Sequence, residues 1–166
     1  RALMMLLRRF IREELEEMLH YDIGMKMIGR IDMLPPEIQD ELQAMIDKTA
    51  HCKKMTVVLA LSYGGRLEIV DAARKLAEDC KTGELQPSEI NQRVFAEHLY
   101  LPECPEPDLL IRTSGECRLS NFLLWQLSYS EIYFVPVLWP DFAKEDFCRA
   151  IIEYQRRERR FGGVSR

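Results

Sequence analysis

Between Asp108 and Asn121 the chain reads Asp-Leu-Leu-Ile-Arg-Thr-Ser-Gly-Glu-Cys-Arg-Leu-Ser-Asn, which sets Arg112 and Arg118 among Ser114, Gly115 and Ser120. Guanidiniums offer planar forks of N–H donors that match phosphate oxygens, and hydroxyls and glycine let a backbone close around an anion. If a strand ends at Arg112 and a helix starts near Ser120, the unpaired amides of its first turn would point at the same place. The guest such a cradle fits is a phosphate or a diphosphate. The competing reading is that Arg112 and Arg118 pair with Asp108, Glu116 or Glu131 and only brace the loop. Glu131 opens the following strand and is expected at the ligand-bearing edge or just below it, where one carboxylate suffices for an ion that takes its other ligands from phosphate and water. A second anion candidate is the run Arg156-Arg157-Glu158-Arg159-Arg160-Phe161-Gly162-Gly163, for which cations favoured at a helix C-terminus are the plainer explanation.

The elements that must position these groups follow from periodicity. Met4, Leu7, Ile11, Leu15 and Met18 recur at helical spacing over residues 1–20, and Leu3, Leu6 and Phe10 add a second apolar row. That second row either packs into the core or faces a ligand cavity. Residues 24–29 read as a buried strand, Pro35-Pro36-Glu37 as the start of a helix running to about Thr49, and Met55 to Leu61 as a strand covered on both faces. Beyond Gly64-Gly65 a helix turns Ile69, Ala73, Leu76, Ala77 and Cys80 to one side and stops at Gly83. A helix near 88–98, strands at 109–111 and 132–135, a helix over 120–129 and a final helix ending by Gly162 complete the reading. Strands alternating with helices predict an α/β fold, a mostly parallel sheet flanked by helices, with ligands beyond the carboxyl ends of the strands.

Length and composition narrow the function. The 166 residues are 47% hydrophobic and 30% charged, which fits one globular domain. Five scattered cysteines without a C-x-x-C predict neither a disulfide framework nor a structural zinc site, and hence a reducing compartment. No run of about 20 apolar residues is present to span a bilayer. His20, His51 and His98 have no metal-ligand spacing. No P-loop, G-x-G-x-x-G or G-x-S-x-G pattern occurs, which removes support for nucleoside triphosphates and acyl transfer. Net charge −4 and a basic run confined to one end argue against nucleic acid as a partner.

The segment IRTSGECRLSNFLLWQLSYSEIYFVPVLWPDF, preceded by LALSYGGRLEIVDAARKLAED and followed by RRERRFGG, closely resembles the cis-prenyltransferase family, whose typical member is undecaprenyl diphosphate synthase. The resemblance runs along essentially the whole chain. It implies an enzyme that condenses isopentenyl diphosphate onto a farnesyl-type allylic diphosphate, with Mg²⁺ as cofactor. By similarity Arg112, Arg118 and Ser120 hold isopentenyl diphosphate. Arg160 and Gly162 form the family's R-x-G element, which reaches a partner subunit's site, and Glu131 ligates the metal. Leu3, Leu6 and Phe10 would line the tunnel for the growing chain. Homodimers built near Phe122, Trp125 and Trp139, a cytoplasmic location and transient contact with the membrane surface through the product are implied in the same way.

Departures carry expectations of their own. The family's Asp-Gly-Asn-Arg motif, which supplies the catalytic aspartate, is absent from these 166 residues, and its position falls upstream of Arg1. The chain is therefore expected to be the C-terminal portion of a longer α/β domain, inactive by itself and exposing apolar surface. Ser62 stands where many relatives have Asn, and Cys117 where they carry His or an aromatic. A non-catalytic accessory subunit is the alternative within the family, and retention of Arg112, Arg118, Ser120 and Glu131 speaks against it.

Overall fold

A computed structural model describes residues 2–157, as two compact units divided after Glu103. In the first, helix α1 (Ala2–His20) leads into strand β1 (Ile23–Gly29), helix α2 (Pro36–Thr49), strand β2 (Met55–Leu61), helix α3 (Gly65–Thr82) and the short helix α4 (Gln92–Glu97). In the second, strands β3 (Leu109–Arg112) and β4 (Glu131–Phe134) precede helix α5 (Lys144–Gln155). In place of one continuous sheet there are two parallel pairs, β1 with β2 across helix α2 and β3 with β4 across a connection made of turns.

The core of the first unit explains which residues face inward. Ile11 and Met18 of α1, Met25 and Met27 of β1, and Ile38, Leu42 and Met45 of α2 form one buried cluster, with Leu7, Phe10 and Leu15 packed against it. α1 therefore buries the apolar stripe its spacing predicts. Phe10 belongs to that core and Leu6 is exposed, while the side chain of Leu3 lies outside the described residues. One cavity on this helix, about 320 Å³, is lined by Ile11 and Leu15 of the first apolar row with Glu41, Ala44, Met45 and Lys48 of α2, and another, about 430 Å³, by Met5, Arg8, Arg9 and Glu13.

β2 differs from expectation. Val57, Leu59 and Leu61 pack on the core while Met55, Thr56, Val58 and Ala60 are exposed, so its burial alternates. A continuous apolar sequence was the wrong signal here, because the two helices of the core cluster cover only one face. Tyr129, Leu138 and Trp139 in the second unit are likewise exposed. Gly29 ends β1 at φ 106°, with its α-carbon against the Leu61 carbonyl, where a side chain would collide with backbone.

α3 also turns out rotated from its expected face. Gly65, Glu68, Ala72 and Leu76 are buried, a set shifted by one residue from the apolar one. The helix ends as predicted, with Gly83 left-handed at φ 81°. α4 is shorter than predicted because the Asn91 side chain accepts from the Arg93 and Val94 amides and fixes the start.

His98, just past α4, ties that helix to α3. Its Nδ1 meets the Val94 carbonyl at 2.7 Å and its Nε2 meets Asp79 Oδ2 at 2.7 Å. Two acceptors on one ring favour the imidazolium, and the hydrogen bond to Asp79 raises the His98 pKa. The stabilisation is therefore complete below about pH 6.5 and is lost as pH climbs through the raised value. Between pH 6 and pH 9 the wild-type melting temperature should fall by about 3–5 °C more than that of Asp79→Asn. Parallel pH profiles in thermal melts of the two proteins would contradict this.

Candidate anion-binding site

β3 carries Arg112 as its last residue, at the carboxyl end of a parallel pair. The loop that follows is stitched to the chain beyond β4. Val135 N–H donates to the Arg112 carbonyl at 2.8 Å, Ser114 N–H to Val137 at 2.8 Å and Gly115 N–H to Val135 at 3.0 Å. Ser114 and Gly115 are both left-handed, each at φ 66°. A backbone so anchored presents the residues after β3 from a fixed base.

Arg112 itself is half-buried, and its Nε is a buried N–H with no acceptor. Among the described residues no acid is paired with it. Buried donors are nearly always paired, so an orphan on a cation at a strand's carboxyl end makes Arg112 a candidate anion contact. Arg118 lies in the same loop, largely exposed, and pairs with Glu116. For Arg118 the bracing interaction exists alongside an accessible guanidinium. Ser120 is exposed at φ 50°.

The helix expected over 120–129 does not form. Ser120, Asn121 and Leu123 all adopt positive φ, which no right-handed helix tolerates, and the segment is a series of turns that closes one helical bond, from Leu127 N–H to the Leu123 carbonyl. The cradle thus has no helix N-terminal amides to offer. Four of the seven non-glycine residues at positive φ among the described residues lie between Ser114 and Leu123. Strain so concentrated is typical of ligand-holding loops.

Glu131 is not brought to Arg112. In the β3–β4 register it faces Leu109, whereas Arg112 faces Phe134, so the two stand at opposite ends of the pair, roughly 10 Å apart along the strands. Glu131 opens β4 as expected, but the opening residue of a parallel strand lies at its amino end and not at the carboxyl edge. Its Oε2 accepts from Arg157 Nη1 at 2.7 Å. Among the described residues no three His, Cys, Asp or Glu side chains gather as a metal centre. Glu131 is thus a single carboxylate paired with Arg157, which could supply at most one ligand to an ion that takes the rest from phosphates and water. Arg160 and Gly162 lie outside the described residues.

Sequence reasoning missed a polar cluster at the carboxyl end of β2. Glu68, almost fully buried, accepts from the Tyr63 hydroxyl and, at 2.8 Å, from the Tyr100 N–H. The Tyr100 hydroxyl donates to Asp71 at 2.6 Å, and burial with that bond pushes the phenol up to about 12. The carboxylate is tolerated inside because these donors meet it. Together they pin the loop Ser62-Tyr63-Gly64 where β2 ends. Spacing of Glu68, Ala72 and Leu76 by four residues was the available signal, hidden because a charged residue is normally assigned to the wet face.

Comparison with known proteins places this geometry. A family model described as "Putative undecaprenyl diphosphate synthase" matches residues 1–162. An isoprenyl transferase from Geobacter sulfurreducens is 47% identical over 165 residues, 99% of this chain and 67% of that protein. A tritrans,polycis-undecaprenyl-diphosphate synthase (geranylgeranyl-diphosphate specific) from Methanocaldococcus jannaschii is 47% identical over 149 residues, 89% of this chain and 53% of that protein. The crystal structure of lavandulyl diphosphate synthase from Lavandula x intermedia, in complex with dimethylallyl diphosphate, superposes with a TM-score of 0.91 at 40% identity, covering 97% of this chain and 70% of that one. The chain thus spans between about half and two-thirds of the length of these curated relatives.

If Arg112 is reserved for an anion, removing its charge should leave the apo fold intact. Arg112→Met is expected to melt within about 1 kcal/mol of wild type, or above it, because an unmatched buried donor disappears. The same variant should lose the thermal protection that inorganic pyrophosphate gives the wild type. Destabilisation by about 2 kcal/mol or more with protection retained would make Arg112 a structural residue.

Proposed function

The chain belongs to the undecaprenyl diphosphate synthase family, and from that premise we propose that it forms the isopentenyl-diphosphate-binding part of a cis-prenyltransferase. The observation that carries this reading is the half-buried Arg112 with its unmatched Nε at the carboxyl end of β3. Arg118 and Ser120, exposed in the following loop, complete the proposed diphosphate contacts.

The chemistry explains why such residues are needed. Condensing two diphosphate esters brings several negative charges together, and pyrophosphate must leave as the allylic C–O bond breaks. The double bond of isopentenyl diphosphate then forms the new C–C bond, and a proton is lost. Guanidiniums fixed beforehand offset the repulsion without reorganising during the reaction. Arg112 does this from a half-dry position, and Arg118 would exchange Glu116 for the ligand. Mg²⁺, for which Glu131 supplies one carboxylate in this reading, neutralises diphosphate charge when bound. The first apolar row, at Ile11 and Leu15, lines a cavity suited to an isoprenoid tail.

The family's Asp-Gly-Asn-Arg residues are not among these 166, so the chain by itself is proposed to be inactive. A homodimer and a cytoplasmic site of action with product-mediated visits to the bilayer belong to the same proposal. No helix among the described residues is long and apolar enough to cross a membrane. An accessory role would leave Arg112 without an anion to bind.

In a polypeptide that joins this chain to the family's Asp-Gly-Asn-Arg segment, Arg118→Ala should raise the KM for isopentenyl diphosphate about tenfold or more. The KM for farnesyl diphosphate should change little. Equal losses for both substrates, or long-chain product from the 166 residues alone, would overturn the assignment.

A further inference from the structure

The ring of His98 sits between two acceptors. Its Nδ1 lies 2.7 Å from the Val94 carbonyl, one turn back, and its Nε2 lies 2.7 Å from Asp79 Oδ2 on α3. Both contacts are hydrogen bonds only when both ring nitrogens carry protons. A neutral ring keeps one of them and turns a bare nitrogen toward the other acceptor. The side chain is only about one-fifth exposed, so water compensates poorly for the lost bond. The protonation of one side chain thereby decides how firmly the end of α4 is fastened to α3.

That fastening is one of several along a single stripe of α3, at positions 68, 71, 75 and 79. Glu68 accepts from the Tyr100 N–H at 2.8 Å, and Asp71 accepts from the Tyr100 hydroxyl at 2.6 Å. Lys75 Nζ donates to the His98 carbonyl at 3.4 Å, and Asp79 meets the His98 ring. Of the charges that face the ring, Asp79 favours the imidazolium and Lys75 opposes it, while Arg93 and Glu97 of α4 pair with each other at 2.7 Å. The two main anchors titrate differently. Burial and the bond to Asp71 push the Tyr100 phenol up to about 12, so Tyr100 stays fastened through the neutral range, where His98 lets go. None of the six residues of α4 is buried, and the apolar anchor of the segment is Leu99, beside Tyr100. Little packing therefore opposes a local release.

We propose that α4 is a pH-sensitive flap on α3, clasped by doubly protonated His98 and hinged at Tyr100, which opens without unfolding the core when His98 loses its proton. The clasp is whole below about pH 6.5 and fades as pH rises through the raised value, so the flap loosens on the alkaline side. It lies wholly within the first unit and does not depend on the diphosphate reading of the second.

The test is hydrogen exchange of peptides spanning residues 91–98, corrected for the intrinsic effect of pH on exchange. In wild type their protection should fall about fivefold or more between pH 6 and pH 8.5, and should stay well below that of peptides from residues 36–49 in the core. Asp79→Asn should abolish the fall. Its amide can donate to Nε2 while Nδ1–H of a neutral ring donates to the Val94 carbonyl, so the clasp no longer needs a second proton. Wild-type protection that ignores pH, an equal fall in Asp79→Asn, or residues 91–98 as protected as the core would each overturn the flap. If Asp79→Asn fails to fold, the ring ¹⁵N shifts of wild-type His98 decide: a doubly protonated ring at pH 6 supports the clasp, and a neutral one overturns it.

Discussion

A cation kept partly out of water needs a counter-charge, and the second unit withholds one from Arg112. The residue ends β3, its backbone carbonyl is engaged by Val135, and its Nε is buried without an acceptor. Two acids that could have satisfied it are engaged elsewhere: Glu116 holds Arg118, and Glu131 holds Arg157 at the far end of the strand pair. An unmatched donor of this kind costs on the order of 1–3 kcal/mol. Such a cost persists in a folded protein when an anion from outside the chain removes it.

The rest of the unit can be understood as what keeps that arginine in place. Two short parallel strands fix the direction of β3, and the amides of Ser114 and Gly115 lash the following loop to Val135 and Val137. Left-handed residues then carry the chain away without a helix. The first unit uses comparable means at the end of β2, where buried Glu68 gathers Tyr63 and the Tyr100 amide around the turn. In both units the precision lies in the segment just after a strand, where parallel sheets place their ligands.

How far this was legible before the fold varied with the kind of signal. Helical stripes and flanking prolines and glycines located α1, α2 and β2 to within a residue or so, since these patterns reflect backbone geometry directly. The parallel arrangement followed from the alternation of strands and helices. Arg112 was legible as a candidate anion contact by type and position, yet the absence of a partner for its Nε was not, because spacing leaves pairing with Asp108, Glu116 or Glu131 equally open. Three readings failed for physical reasons. Residues 120–129 have helical composition but left-handed backbone at Ser120, Asn121 and Leu123. The burial of Glu68 depends on donors from Tyr63 and Tyr100, one of them distant in sequence. Glu131 was assigned to the ligand-bearing edge although the first residue of a parallel strand lies at the amino end of the pair.

The most direct examination of the central claim is a high-resolution structure of the protein with inorganic pyrophosphate bound. A phosphate oxygen should lie within hydrogen-bond distance of Arg112 Nε, with Arg118 turned from Glu116 toward the same anion. Arg112 Nε found bonded to a protein acceptor, with pyrophosphate seated elsewhere, would contradict the account.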